Sequence, residues 1–338
     1  MKKPIAISYG VFAVLLLLVC LLHLGTPFIA ALFCYLALTK LTFWGKKWLA
    51  VTLFLVLMAA SFVGFVFFLK RAFIILPEIV DTAVPIVASF AEKHGIELPF
   101  TDAESLRAVA LESVRDMLGH LGKYAKVATK ESILLVIGVV VAVSVFLNPS
   151  FEAKRVHGRT RPNLYTFYTG RIQERFSSLY RSFEIVMGAQ IIIAAINATL
   201  TSFFVFGLGL RYAGLIVILT FICGILPIVG NLLTNTIIIG VAFTMSPRYA
   251  LYAFIFLITI HKLEYFLNSN IIGSRIDHPM WLTLLAIIIG ERLMGISGII
   301  IAPVILSFIK VEMKKIDMPD DPAPPPPRPK PIRELAEV

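Results

Sequence analysis

The sequence predicts an all-α polytopic membrane protein with about eight transmembrane segments, two of them broken or re-entrant, plus a small extracytoplasmic helical module. Three observations carry that expectation. Of the 338 residues, 58% are hydrophobic and only 15% charged, and the mean hydropathy is +0.86. A soluble domain carries roughly a quarter charged residues. The apolar residues fall in runs close to the ~20 that a helix needs to cross a hydrocarbon core of roughly 30 Å. The short alternating segments of a transmembrane barrel are absent. A secreted disulfide scaffold, a disordered protein and an ordinary cytosolic enzyme are thereby excluded. The net charge of +10 lies mostly in short loops beside apolar runs. There it sets topology and attracts anionic membrane lipid, so no nucleic-acid partner is expected. Cys20, Cys34 and Cys223 lie in apolar stretches without CxxC spacing, as small packing residues do.

Residues 1–69 hold the first three helices. Lys2 and Lys3 precede the run from Ile5 to Leu22, a second span covers about Pro27 to Leu38, and a third runs from Leu49 to Leu69. The loop at Gly25 has no Lys or Arg, whereas Lys46 and Lys47 follow the second span. The positive-inside rule puts the N-terminus and the Lys46 loop in the cytoplasm. Residues 70–131 change character, with eight Lys/Arg against nine Asp/Glu between Lys70 and Glu131. Without a basic bias this stretch is expected outside, as a helical module with a capping box at Thr101 to Glu104. Pro77 and Pro85 are expected to break or kink its first part.

A fourth span occupies 132–148, and 149–184 returns to basic character, seven Lys/Arg against three Asp/Glu. Tyr168, Ile172, Phe176, Leu179 and Phe183 share one helix face there, with Arg171, Arg175 and Arg181 mostly elsewhere. This reads as an amphipathic helix at the inner membrane surface, or as a linker packed on its neighbours. Residues 185–312 form the core, opening with a fifth span from Ile185 to Leu208. Two longer apolar stretches are interrupted, one at Gly224 to Asn231 and one at Gly290 to Gly295, with another span from Leu251 to Leu267 between them. Some 30 residues of straight helix would reach about 45 Å, too long for the hydrocarbon, so each is a kinked span or a re-entrant hairpin. Both readings return the C-terminus to the cytoplasm, ahead of a disordered Pro-rich tail over 313–338.

Interrupted helices in corresponding places mark transporter binding sites, because unwound backbone is tolerated only in protein or along a cavity. A shift of 66 residues pairs Gly207 with Gly273 and Gly224 with Gly290, a faint repeat. Charge inside apolar sequence is the second signal. His261, Lys262 and Glu264 interrupt the seventh span, and Glu291 and Arg292 the eighth. His261 and Glu264 share a helix face and suit a proton relay or cation site. The alternatives are a structural pair such as Glu264 with Arg292, and a Lys262 that snorkels. Gln190, Asn197, Asn231, Asn235, Asn268 and Asn270 add amides at apolar depth, some of which simply join helices. The expected solute or ion pathway comprises Gln190, Gly224, Pro227, Gly230, Asn231, His261, Glu264, Asn268, Gly290, Glu291, Arg292 and Gly295. No enzyme activity, metal or cofactor is expected. Gly295 to Gly298 mimics a GxSG protease motif but no histidine follows His278, and neither HExxH nor a Walker A sequence is present.

These features resemble the autoinducer-2 exporter family of bacterial membrane proteins. The matching residues are Gly188-Ala189-Gln190, Pro227 to Gly230, Leu263-Glu264, Gly273, His278-Pro279, Gly290, Gly295, Gly298 and Ala302-Pro303. The order of spans and soluble insert matches as well. Asn231 and Asn268 to Asn270 depart from prolines common there. The resemblance implies an inner-membrane permease, a homo-oligomer of pentameric form, exporting a small polar solute by an elevator-like motion. It also implies that coupling to protons or sodium, or sodium/proton antiport itself, is open. A non-transporting scaffold docking partners through its soluble module and tail is the alternative of another class.

Overall fold

The computed structural model describes residues 3–42, 45–93, 95, 121–148, 164–226, 229–267 and 279–316. Among these all regular structure is helical. The helices are α1 (Lys3–Leu21), α2 (Gly25–Lys40), α3 (Lys47–Lys93), α4 (Leu121–Leu147) and α5 (Leu164–Gly207). They continue with α6 (Ala213–Gly224), α7 (Val229–Met245), α8 (Pro247–Leu267), α9 (Met280–Met294) and α10 (Ile296–Met313). The capping box at Thr101 and the Pro-rich tail lie outside the described residues. The chain is an all-α polytopic membrane protein, as its composition requires.

Four segments are each long and apolar enough to cross a bilayer: Lys47–Arg71, Thr129–Leu147, Phe167–Gly207 and Ile296–Met313. A fifth candidate is the pair Ile7–Leu21 and Gly25–Lys40, bent by 115°. The elbow closes where the Leu24 N–H reaches the Val19 carbonyl at 2.9 Å, with His23 left-handed at φ 53°. The first interrupted stretch yields two helices too short to cross alone, α6 having 12 residues and α7 17, whereas the second yields the 15-residue α9 and the spanning α10.

Two composition boundaries fall inside helices. Expected to break or kink at Pro77 and Pro85, α3 runs 47 residues through both, so neither proline breaks it. Each proline removes one backbone donor, and with long helical flanks that loss does not unwind the chain. At about 1.5 Å per residue α3 is roughly 70 Å long, so its second half projects beyond any bilayer core. Helix α5 likewise carries the basic stretch straight into the fifth span.

Contacts between side chains fix the relative directions of the helices. Tyr9 meets Glu312 and Phe12 meets Phe308, while Cys20 meets Met294 at the α9–α10 joint at 3.3 Å, so α1 and α10 are antiparallel. Gly138 lies against Pro27 and Ala30, and Phe146 against Tyr35, so α2 and α4 run parallel. Lys40 pairs with Glu184 at 2.8 Å, and Lys47 lies over Phe146. Tyr9, Lys40, Lys47, Glu184 and Lys315 thus mark one end of the bundle, hereafter the basic end. An apolar core of Phe12, Ile29, Leu36, Leu179, Phe183, Val304 and Phe308 ties α1, α2, α5 and α10 together just above it. Ile225 and Met294, one beside each break, both pack on that core. Large apolar side chains such as Phe62, Phe67 and Phe203 face outward, as they do toward lipid.

Candidate functional site

Helix α6 runs back along α5 from the far end, and Gly224 comes to rest against Ala194. There it stops short of the basic end, and its last carbonyls lose their helical donors. Gln190 supplies one replacement: its Nε2 donates to the Gly224 carbonyl at 2.8 Å, in a buried position. The chain then turns tightly into α7. A Cβ on Gly230 would lie 1.6 Å from the Cys223 carbonyl oxygen, so no other residue fits that backbone approach. The first interruption is therefore a re-entrant hairpin whose tip rests on α5.

Asn231 occupies the first turn of α7 and is buried. Its side chain stands beside the carboxyl of Glu264, on the antiparallel neighbour α8, and its Oδ1 stands near Gly224. Glu264 is 8% exposed and has no cation within ion-pair distance among the described residues. A carboxyl buried without a counter-charge holds a proton or awaits a cation, since an isolated buried charge is prohibitively costly. His261, one turn away on the same helix, is exposed.

Gln190, Gly224, Gly230, Asn231 and Glu264 thus converge on one tip although α5, α6, α7 and α8 contribute them separately. The cluster continues along α5. Asn197 and Thr201 follow Gln190 on one helix face and are buried, as are Thr220 on α6 and Thr234 on α7. Thr220 and Thr234 donate back to carbonyls of their own helices. Asn197 is 1% exposed and neither amide atom has a hydrogen-bond partner among the described residues. That face is a polar seam inside an apolar bundle, and the spacing of Gln190, Asn197 and Thr201 foreshadows it.

The second interruption is built differently. Gly290 and Gly298 let α9 and α10 touch backbone to backbone: a Cβ on Gly298 would lie 1.7 Å from the Gly290 carbonyl oxygen. Gly295 joins the helices at φ 60°. Gly25 of the α1–α2 elbow packs on Met294 and Ser297 at this tip. Glu291 and Arg292 are exposed and lie 3.7 Å apart. The pair Glu264–Arg292 is not formed; Asn231 takes that place. Pro227 and Asn268 lie outside the described residues.

Sequence reasoning missed a second polar cluster, at the basic end. The Glu312 carboxylate accepts hydrogen bonds from Tyr9 (3.0 Å), Ser178 (2.6 Å) and Lys315 (2.6 Å) and is ion-paired to Arg175. The side chains of Arg175 and Glu312 are each 5% exposed, and the guanidinium also stacks on Tyr9 at 3.9 Å. Arg175, expected on the polar face of an amphipathic helix, is buried because Glu312 meets it. The only sequence signal was a lone acid among Lys310, Lys314 and Lys315 at the end of the last apolar run.

Comparison with known proteins bears on this architecture. The sequence model of the AI-2E family transporter matches residues 5–318. YdbI of Bacillus subtilis (strain 168), named as a candidate transport protein, is 30% identical over 135 residues. That match covers 39% of this chain and 39% of the relative, so the chain aligns with well under half of that protein's length. With the family match extending from α1 through α10, the chain belongs to the AI-2E family of transporters.

Proposed function

We propose that the protein is a secondary transporter of the bacterial inner membrane, with both termini cytoplasmic, that exports a small polar solute of autoinducer-2-like chemistry. The observation that carries this reading is the buried Glu264 carboxyl, beside Asn231 at a re-entrant tip next to the Gln190–Gly224 bond. Glu264 takes up and releases the coupling proton or sodium ion, with Gln190, Asn231 and the Gly224 carbonyl supplying hydrogen bonds to the solute. Net movement follows from an elevator-like displacement of the hairpin region within a homo-oligomer, a pentamer by family analogy. The lone carboxyl equally favours a second reading, sodium/proton antiport without an organic solute.

The experiment is flux in proteoliposomes under imposed proton or sodium gradients. Glu264→Gln keeps the shape and the Asn231 contact but removes the titrating group. Gradient-driven flux is expected to fall at least tenfold with assembly intact. Unchanged flux removes Glu264 from the mechanism. Ion exchange without any solute dependence selects the antiporter reading.

A further inference from the structure

A cavity of about 560 Å³ lies between the first half of α5 and the last turn of α10, outside the hairpin site. Its walls include Gln173, Ser177, Ser178, Arg181, Ser182 and Lys315. Ile185 and Val311 close its apolar side. We propose that this cavity binds the phosphate-bearing headgroup of an anionic phospholipid.

Charge is the first argument. Glu312 serves both Arg175 and Lys315, so one carboxylate faces two cations. Glu174, also on the cavity wall, is matched by Arg171 at 2.9 Å. Arg181, on the cavity wall, has no acidic partner among the described residues. The cavity surroundings therefore hold two positive charges in excess, one at the Glu312 cluster and one at Arg181. Hydrogen bonding is the second argument. Ser178 commits its proton to Glu312, but Ser177 and Ser182 on α5 give hydroxyl donors beside the two cations, a donor set suited to phosphate oxygens.

Depth selects the lipid as the source of that phosphate. Ile185 is the first residue of the apolar run to Leu208, and every other α5 residue on the cavity wall precedes it in the basic stretch. The cavity thus straddles the level at which α5 passes from polar to apolar surroundings, where headgroups sit. The Lys40–Glu184 pair stands at the same level. This inference is independent of what the protein carries.

Native mass spectrometry of the full chain, released from micelles doped with phosphatidylglycerol or phosphatidylcholine, tests it. Retention of phosphatidylglycerol over phosphatidylcholine is expected, weakened roughly fivefold by Arg181→Gln, the effect of one basic residue at a headgroup. Ser177→Trp, a change at an exposed position that plugs the cavity, should abolish the preference without disturbing Glu312. Lys314→Gln, an equal loss of charge on an exposed residue off the cavity wall, should leave it intact. Equal loss in Lys314→Gln and Arg181→Gln would overturn the site in favour of diffuse attraction. Displacement of phosphatidylglycerol by equimolar inorganic phosphate would overturn the lipid as ligand.

Discussion

At the scale of single residues, glycine is where this fold is least forgiving. Gly230 and Gly240 both sit in α7, yet only the first faces a backbone carbonyl where a side chain would stand. Gly240→Ala, with nothing within 4 Å, should be neutral or stabilise by up to about 1 kcal/mol through helix propensity. Gly230→Ala should destabilise by more than about 2 kcal/mol, because the Cys223 carbonyl belongs to backbone that cannot swing aside. Thermal unfolding of the two variants in detergent separates them, and similar melting temperatures would refute the tight tip. Both glycines are plain in the sequence. Which of them is irreplaceable depends on a neighbour in space, seven residues upstream across the turn.

Glu264 was legible as an anomaly, a carboxylate in an apolar run, and the structure supplies its partner. Asn231, not Arg292, stands beside it, because the tip of the α6–α7 hairpin reaches α8 where the α9–α10 tip does not. Glu312 was not legible. At the end of an apolar helix and flanked by lysines, it has the sequence signature of a solvated terminus.

Among the helices, α1, α5 and α10 are joined at the basic end by the buried Arg175–Glu312 pair and its hydrogen bonds from Tyr9, Ser178 and Lys315. A buried pair is costly to break and inexpensive to replace. Glu312→Leu alone should destabilise by about 3–5 kcal/mol, since it leaves Arg175 an uncompensated buried charge, whereas Arg175→Met should cost less because Lys315 still pairs with Glu312. The double variant should recover most of the larger loss. A double-mutant cycle on thermal stability checks this, and additive effects would show that the two side chains do not depend on each other. At this scale the element types were fully legible from the apolar runs. Helix ends were not: neither Pro77 and Pro85 nor the composition change at Ile185 interrupts its helix, because continuity is decided by backbone hydrogen bonds rather than by polarity.

Across the whole molecule, the contacts set Tyr9, Lys40, Lys47, Glu184 and Lys315 at one end, the arrangement that the distribution of Lys and Arg predicts for a cytoplasmic face. Cysteines placed at Lys46 and Lys314 should react with an impermeant maleimide from the same side of sealed vesicles, and one at Lys93 from the opposite side. Labelling of Lys46 and Lys93 positions from one face would refute the threading of α3. Both signs of the charge pattern and the count of apolar runs are written along the chain, because bilayer thickness and lipid charge act on local stretches. Sequence alone therefore determined the class of the protein, the two interruptions at Gly224 and Gly290 and the anomalous Glu264. Only the tertiary structure decided that the first break folds back on α5, that Asn231 is the group meeting Glu264, and that Arg175 is buried on Glu312. Those outcomes depend on which helices lie side by side, and no local property of the chain encodes a neighbour that is dozens or hundreds of residues away.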